Sequence, residues 1–186
     1  MSKVLIPLAI GFEEIEAVTI IDILRRAEVE VVVASLNSDT LVKGANNISI
    51  QTDTPIQQID SNTLDMIILP GGWDGTNRLA KDKNVQSLLK EMDAKNKYIG
   101  AICAAPFALH KAGVLKENFT CYPSTEEQIR IDGYQGDKSM VVKDANVITS
   151  RGPATAICFA LEIVKELQGI ESYKALKSGL LATYCL

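Results

Sequence analysis

Residues 4–36, VLIPLAIGFEEIEAVTIIDILRRAEVEVVVASL, decide the fold. Val4–Ala9 is a continuous apolar run, the pattern of a strand buried on both faces. From Glu13 to Ala27 the period changes: Ala17, Ile20, Ile21 and Leu24 recur at i, i+3, i+4 and i+7, one face of a helix. Glu30–Leu36 returns to β-branched residues and predicts a second strand. Strand, helix and strand in this order predict a βαβ unit with a parallel sheet and a right-handed crossover.

The pattern repeats outward from there. Met66–Leu69 predicts a strand closed by Pro70-Gly71-Gly72, Asn84–Lys95 a helix, and Tyr98–Ile102 a strand. Ala104–Ala112 predicts a short helix ended by Gly113. Asn146–Ser150 predicts a strand, Pro153–Gln168 a helix capped by Gly169, and Glu171–Ser178 a shorter helix. Residues 37–60 are rich in turns and predict a small hairpin or edge excursion. Thr120–Cys121 and Met140–Lys143 are candidates for further strands. No repeat, linker or low-complexity segment divides the chain, so residues 1–186 are expected to form one domain.

Composition bounds the function. The 186 residues are 47% hydrophobic and 23% charged, with a net charge of -4. That is an ordinary globular balance, and it lacks the basic footprint of a nucleic-acid or anionic-lipid binder. Val4–Phe12 superficially resembles a signal peptide, but Glu13, Glu14 and Glu16 follow without a small-residue cleavage pattern. No run is long enough to span a membrane. Cys103, Cys121, Cys158 and Cys185 are scattered, and the only histidine is His110, so no metal site is expected. The chain is expected to be cytoplasmic with its thiols reduced, Cys158 serving as helix packing.

In parallel sheets of this kind, ligands bind beyond the carboxyl ends of the strands. The loops to search are Ile10–Glu16, Pro70–Gly75, Cys103–Pro106 and Ser150–Thr155. Cys103 ends a buried strand and precedes a helix, as a nucleophile at a strained strand-to-helix turn does. Helix N-terminal amides favour a thiolate there and predict a pKa below that of a free thiol. The alternative is a small buried hydrophobe. His110 follows by seven residues, about 10 Å of helical rise, too far to serve as its base. Glu13 and Glu16 both border the Ala17/Ile20/Leu24 stripe, and spacing alone does not choose between an acid–base role and complementarity to the helix dipole for either. The turn Pro70–Gly75 is a weak signal, read as backbone N–H groups that approach a ligand closely.

Four segments resemble the ThiJ/PfpI superfamily, in the branch of the parkinsonism-associated protein deglycase and its bacterial homologues. They are Ile10-Gly11-Phe12-Glu13-Glu14-Ile15-Glu16, Leu69-Pro70-Gly71-Gly72, Ala101-Ile102-Cys103-Ala104-Ala105-Pro106 and Thr149-Ser150-Arg151-Gly152-Pro153. The resemblance implies a flavodoxin-like α/β three-layer sandwich with a mostly parallel central sheet and a nucleophile-elbow cysteine. It implies a homodimer, for which Ile15 and Val18 lie off the core stripe of the first helix. It also implies an easily oxidised Cys103 beside a protonated Glu16, rather than Glu13. The oxyanion would be held by the amides of Gly72 and Ala104, with Gly71 shaping the turn. Tyr122, Gly152 and Pro153 complete the expected substrate-binding set.

Two departures narrow the activity. Ala104 stands where the protease-like branch has a histidine, which argues against a peptidase. Tyr122, before Pro123, stands where the deglycase branch often has a histidine. The expected function is a cofactor-independent enzyme of the glyoxalase III or protein deglycase type. Its substrate would be a small aldehyde or glycated amine, and its role protection from carbonyl and oxidative stress. The alternative is a redox sensor or chaperone, not an enzyme, whose Cys103 is oxidised to sulfinate.

Overall fold

The computed structural model describes residues 1–185. In chain order the strands are β1 (Lys3–Leu8), β2 (Glu30–Ser35), β3 (Leu41–Lys43), β4 (Ser49–Gln51), β5 (Thr54–Pro55), β6 (Met66–Leu69), β7 (Tyr98–Ile102), β8 (Val141–Asp144) and β9 (Val147–Ser150). The α-helices are α1 (Glu14–Arg26), α2 (Trp73–Lys81), α3 (Lys83–Ala94), α4 (Pro106–Ala112), α5 (Ala156–Gln168) and α6 (Ile170–Gly179). Seven strands form one sheet in the order β5-β2-β1-β6-β7-β9-β8, while β3 and β4 pair separately as an antiparallel hairpin. Every pairing in the large sheet is parallel except β8 against β9.

Side-chain alternation divides the core into two layers. Val4, Ile6 and Leu8 of β1 face Ala17, Ile20 and Leu24 of α1 and Phe159 and Ile163 of α5. Leu5, Ile67 and Leu69 face Leu79 of α2, Leu89 of α3 and Leu109 of α4. Helices therefore cover both faces, as the uninterrupted apolar strands require. Each fully buried Ile or Leu contributes roughly 1.5–3 kcal/mol, so the α1 stripe is a principal hold on the sheet. The flavodoxin-like three-layer arrangement matches the expectation, and the hairpin fills residues 41–51 as the turn-rich composition suggested.

Four details differ. Trp73–Lys81 is helical, whereas its Gly-rich start reads as a loop; Gly75 is buried inside the helix. The α4 helix begins at Pro106 rather than Ala104, because Cys103–Ala105 make the turn that precedes it. Thr120 and Cys121 form no strand, and pairing there is a single bridge between Phe119 and Tyr134. Finally, Cys158 and Cys185 form a disulfide, which corrects the expectation of four reduced thiols and of Cys158 as simple packing. The helix pair explains it. From Cys158, α5 rises about 15 Å to its end, and α6 returns a similar distance, bringing residue 185 back beside residue 158.

Candidate active site

The register brings three strand ends level. Leu69 pairs with Ala101, and Ile102 with Ser150. Beyond them, Cys103 takes a left-handed conformation at φ 63°, costly for a side chain with a Cβ. Neighbouring backbone holds it there: its N–H donates to the Ser150 carbonyl at 3.0 Å, and its own carbonyl accepts from Tyr122 N–H at 2.8 Å. The β9 end is itself ordered, since Ser150 Oγ donates to the Met140 carbonyl and contacts Thr155 Oγ1, both at 2.7 Å.

The loop before α1 packs onto the turn after β6. Gly72 has φ 85°, and a Cβ there would lie 2.3 Å from the Gly11 carbonyl and 2.6 Å from Glu13 N. At Gly71 a Cβ would strike both Cys103 Cβ at 2.6 Å and Glu16 Oε2 at 2.7 Å. Glycine at these two positions is therefore what lets the carboxyl, the thiol and the backbone N–H groups converge.

The three glutamates of the first helical turn do three different things. Glu13 is the N-cap of α1, accepting from Ile15 N–H at 3.3 Å, and it lines the cleft. Glu14 points the other way: it accepts from Asn46 N at 2.6 Å and Asn46 Nδ2 at 3.0 Å, fastening the β3–β4 hairpin. Burial pulls the Glu14 carboxyl up, but these N–H groups hold it below the usual range. Glu16 is fully buried, and its Oε2 accepts from Gly71 N–H at 2.8 Å. Its Oε1 has no partner of good hydrogen-bond geometry. That oxygen is left to the Cys103 sulfur, with which the carboxyl interacts.

Burial raises Glu16 to about 7, against the lowering effect of the Gly71 N–H and Cys103. Burial also raises the Cys103 thiol, followed by the Glu16 charge and hydrogen bond; the N–H groups of Gly72 and Ala104 act in the opposite direction. The direction at Cys103 corrects the lowered value expected from helix amides alone, because desolvation exceeds their effect. Two negative charges are strongly disfavoured in this space, so the pair keeps at least one proton. With that proton on Glu16 the repulsion ends, and the carboxyl becomes a donor facing the sulfur.

A cleft of about 430 Å³ opens over the sulfur. Of the residues expected at the site, Cys103, Gly72, Ala104, Tyr122 and Pro153 line it. Glu16 and Gly71 lie behind Cys103, and Gly152 lies under the Tyr122 ring, where a Cβ would sit 3.3 Å from Cδ2. Trp73, from the Pro70–Gly75 turn, and Ser124, Thr125 and Gln128 complete the wall; the last three carry no signal as site residues in the sequence. Trp73 stacks obliquely on Phe107 at 5.5 Å, joining the first turns of α2 and α4. Residues 124–128 carry no helical or strand period to mark them. His110 stands in the last turn of α4, outside this lining.

Fold and site together define an α/β protein with a buried thiol–carboxyl pair under a cleft at the carboxyl ends of its strands. The chain belongs to the DJ-1/PfpI family, matched over residues 2–166. It is 42% identical over 186 residues to Protein dj-1beta of Drosophila melanogaster, covering 99% of this chain and 100% of that protein. The crystal structure of Drosophila melanogaster DJ-1beta superposes with a TM-score of 0.93 at 43% identity, covering 97% of this chain and 98% of that one. The glutathione-independent glyoxalase DJ-1 of Schizosaccharomyces pombe is 32% identical over 188 residues, covering 97% of this chain and 98% of the relative.

Proposed function

We propose that the protein is a cofactor-independent enzyme acting on small carbonyl compounds, of the glyoxalase III or deglycase type. The observation that carries this reading is the meeting of Cys103 and Glu16 beneath a cleft, with the Gly72 and Ala104 N–H groups on the sulfur. The glyoxalase name of the yeast relative supports it. For methylglyoxal, the Cys103 thiolate attacks the aldehyde carbon and forms the C–S bond. The Gly72 and Ala104 amides hold the resulting oxyanion until it takes the Glu16 proton. Glu16, now ionised, removes the hydrogen from C1 as an enediol forms, then returns it to C2. The product is a 2-hydroxyacyl thioester, which water hydrolyses to lactate and free Cys103. A hemiaminal on an amine would be attacked at the same carbon, with the amine as leaving group. Tyr122 supplies a hydrogen bond to the bound carbonyl. Ala104 beside the cysteine weighs against a peptidase.

The same amides and a protonated Glu16 would also stabilise a sulfinate on Cys103, which supports the second reading of a redox sensor protecting against oxidative stress. Steady-state turnover of methylglyoxal without glutathione separates the two. The enzyme reading expects turnover by the wild type and its loss in Cys103→Ser. A stoichiometric thiol adduct without turnover would instead favour the sensor. Glu16→Gln keeps a donor but cannot take a proton back, so it is expected to impair turnover more than peroxide oxidation of Cys103.

The working state we propose is a homodimer in the cytoplasm. Ile15 and Val18 on the outer face of α1 are 59% and 48% exposed, and Ile48 of the neighbouring hairpin loop is 56% exposed. These residues can form a self-complementary apolar patch. Among the described residues no helix is long and apolar enough to cross a membrane. Sedimentation at micromolar concentration is expected to give a dimer for the wild type and a monomer for Val18→Glu.

A further inference from the structure

Among the described residues, the C-terminal segment is tied to the body by a disulfide and by few buried side chains. No residue of α6 is fully buried. Beyond it only Ala182 and Cys185 are buried among residues 180–185, whereas Leu181 and Tyr184 are exposed. The backbone N–H groups of Leu180, Leu181, Ala182 and Cys185 all bond to carbonyls of residues 176–182, within the segment itself. Tyr173, Leu176 and Leu180 are only partly buried where they meet the core. The covalent tie is Cys158–Cys185, joining residues 27 apart. It borders a second cleft, of about 440 Å³, with Met140, Lys143, Lys165 and Tyr173. No lining residue is shared with the cleft over Cys103.

We propose that this second cleft is a thiol–disulfide exchange site, and that the Cys158–Cys185 bond is a reversible latch for residues 170–185. The co-reactant is a small thiol. Its thiolate attacks Cys185 Sγ, a mixed disulfide forms there, and the electron pair of the broken S–S bond leaves on Cys158 Sγ. Cys158 is the third residue of α5, so this thiolate emerges in the first turn of a 13-residue helix, where the dipole makes it a good leaving group. It takes up the proton of the incoming thiol. A second small thiol then attacks the mixed disulfide, giving the Cys185 thiol and an external disulfide. Both electrons come from the two small thiols, and their protons end on the two cysteines. Once reduced, α6 keeps its partly buried packing on α5, with Lys165 over the Tyr173 ring, but loses the covalent tie and is freer to swing away. In a reducing compartment a disulfide persists only if it is strongly favoured, so a bond that fastens so little buried surface is suited to switching.

The test uses the full-length protein equilibrated in graded ratios of reduced to oxidised glutathione, quenched by alkylation and read by mass. One two-electron transition belonging to Cys158 and Cys185 is expected, and Cys103→Ser should leave it in place. Limited trypsin digestion supplies the structural readout. Cleavage after Lys174 and Lys177 is expected to be at least about tenfold faster in the reduced protein, and in Cys185→Ser or Cys185→Ala under either condition. Residue 185 lies outside the helices whereas Cys158 lies within α5, so these variants leave the helices intact even if Cys158→Ser does not. The proposal is overturned if no ratio produces the Cys158–Cys185 pair, or if cleavage rates are equal in oxidised, reduced and Cys185-substituted protein.

Discussion

Cys103 and Cys121 are both free thiols set beside a carboxylate, and they occupy opposite situations. Cys121 is fully buried, with its sulfur 3.9 Å from Glu126 Oε2. Burial and the Glu126 charge push it up to about 12, against the Glu126 backbone N–H and, more weakly, Arg151. Cys103 meets the same two pressures, from burial and from Glu16, but it receives two backbone N–H groups where Cys121 has one, and it borders the open cleft. Its carboxylate partner is fully buried and raised to about 7, whereas Glu126 is partly exposed. A thiol next to a carboxylate is therefore not a reactive site by itself. A second fixed donor for the anion, a partner able to carry the proton, and access for a substrate separate the two.

Breaking the comparison begins with the thiols. Cys103→Ser is expected to lower methylglyoxal turnover about a thousandfold or more, since the covalent step is lost. Cys121→Ser should stay within about threefold of wild type. The reverse result would move the chemistry to the wrong side of Tyr122. The carboxylates come next. Glu16→Gln should cost on the order of a hundredfold in kcat, the usual scale for an acid–base group, while Glu13→Gln and Glu126→Gln change it little. Full turnover in Glu16→Gln with loss in Glu13→Gln would reassign the proton shuttle to Glu13.

Stability gives a readout independent of activity. Glu16 rises from 4.5 in the unfolded chain to about 7 when folded. Between those values the native state binds more protons, so its contribution is fully present below pH 4.5 and lost as pH rises through about 7. The loss approaches about 3 kcal/mol. Urea unfolding at pH 5 and pH 8 should show it in the wild type and not in Glu16→Gln. An identical difference in both proteins would place the proton elsewhere. The smallest effect is at the cleft wall. Tyr122→Phe keeps the ring over Gly152 and removes one hydroxyl, so kcat/KM should fall by less than about tenfold. A larger loss would give Tyr122 a proton-transfer role.

Periodicity by itself predicted alternating strands and helices, hence a parallel sheet covered by helices, because a run buried on both faces and a stripe at i, i+3, i+4 and i+7 both need covering layers. The three-layer flavodoxin-like form was what the family resemblance implied. Periodicity also placed Cys103 between a strand and a helix. The α2 helix is hidden in the sequence because Gly71, Gly72 and Gly75 have turn chemistry; the close approach of Cys103 and Glu16 explains Gly71, and packing on the loop at Gly11 and Phe12 explains Gly72 and Gly75. Three glutamates within four positions could not be told apart by spacing. The hairpin residue Asn46 claims Glu14, and the chain-distant Gly71 receives Glu16. The protonation of the pair was likewise beyond local reading, since helix amides predicted a lowered thiol and burial by the surrounding sheet reversed it. The disulfide needed the return of α6 along α5. Local sequence determines backbone conformation and which face is apolar; desolvation and the approach of distant N–H groups, thiols and carboxylates depend on how those faces close, and that only the tertiary structure decided.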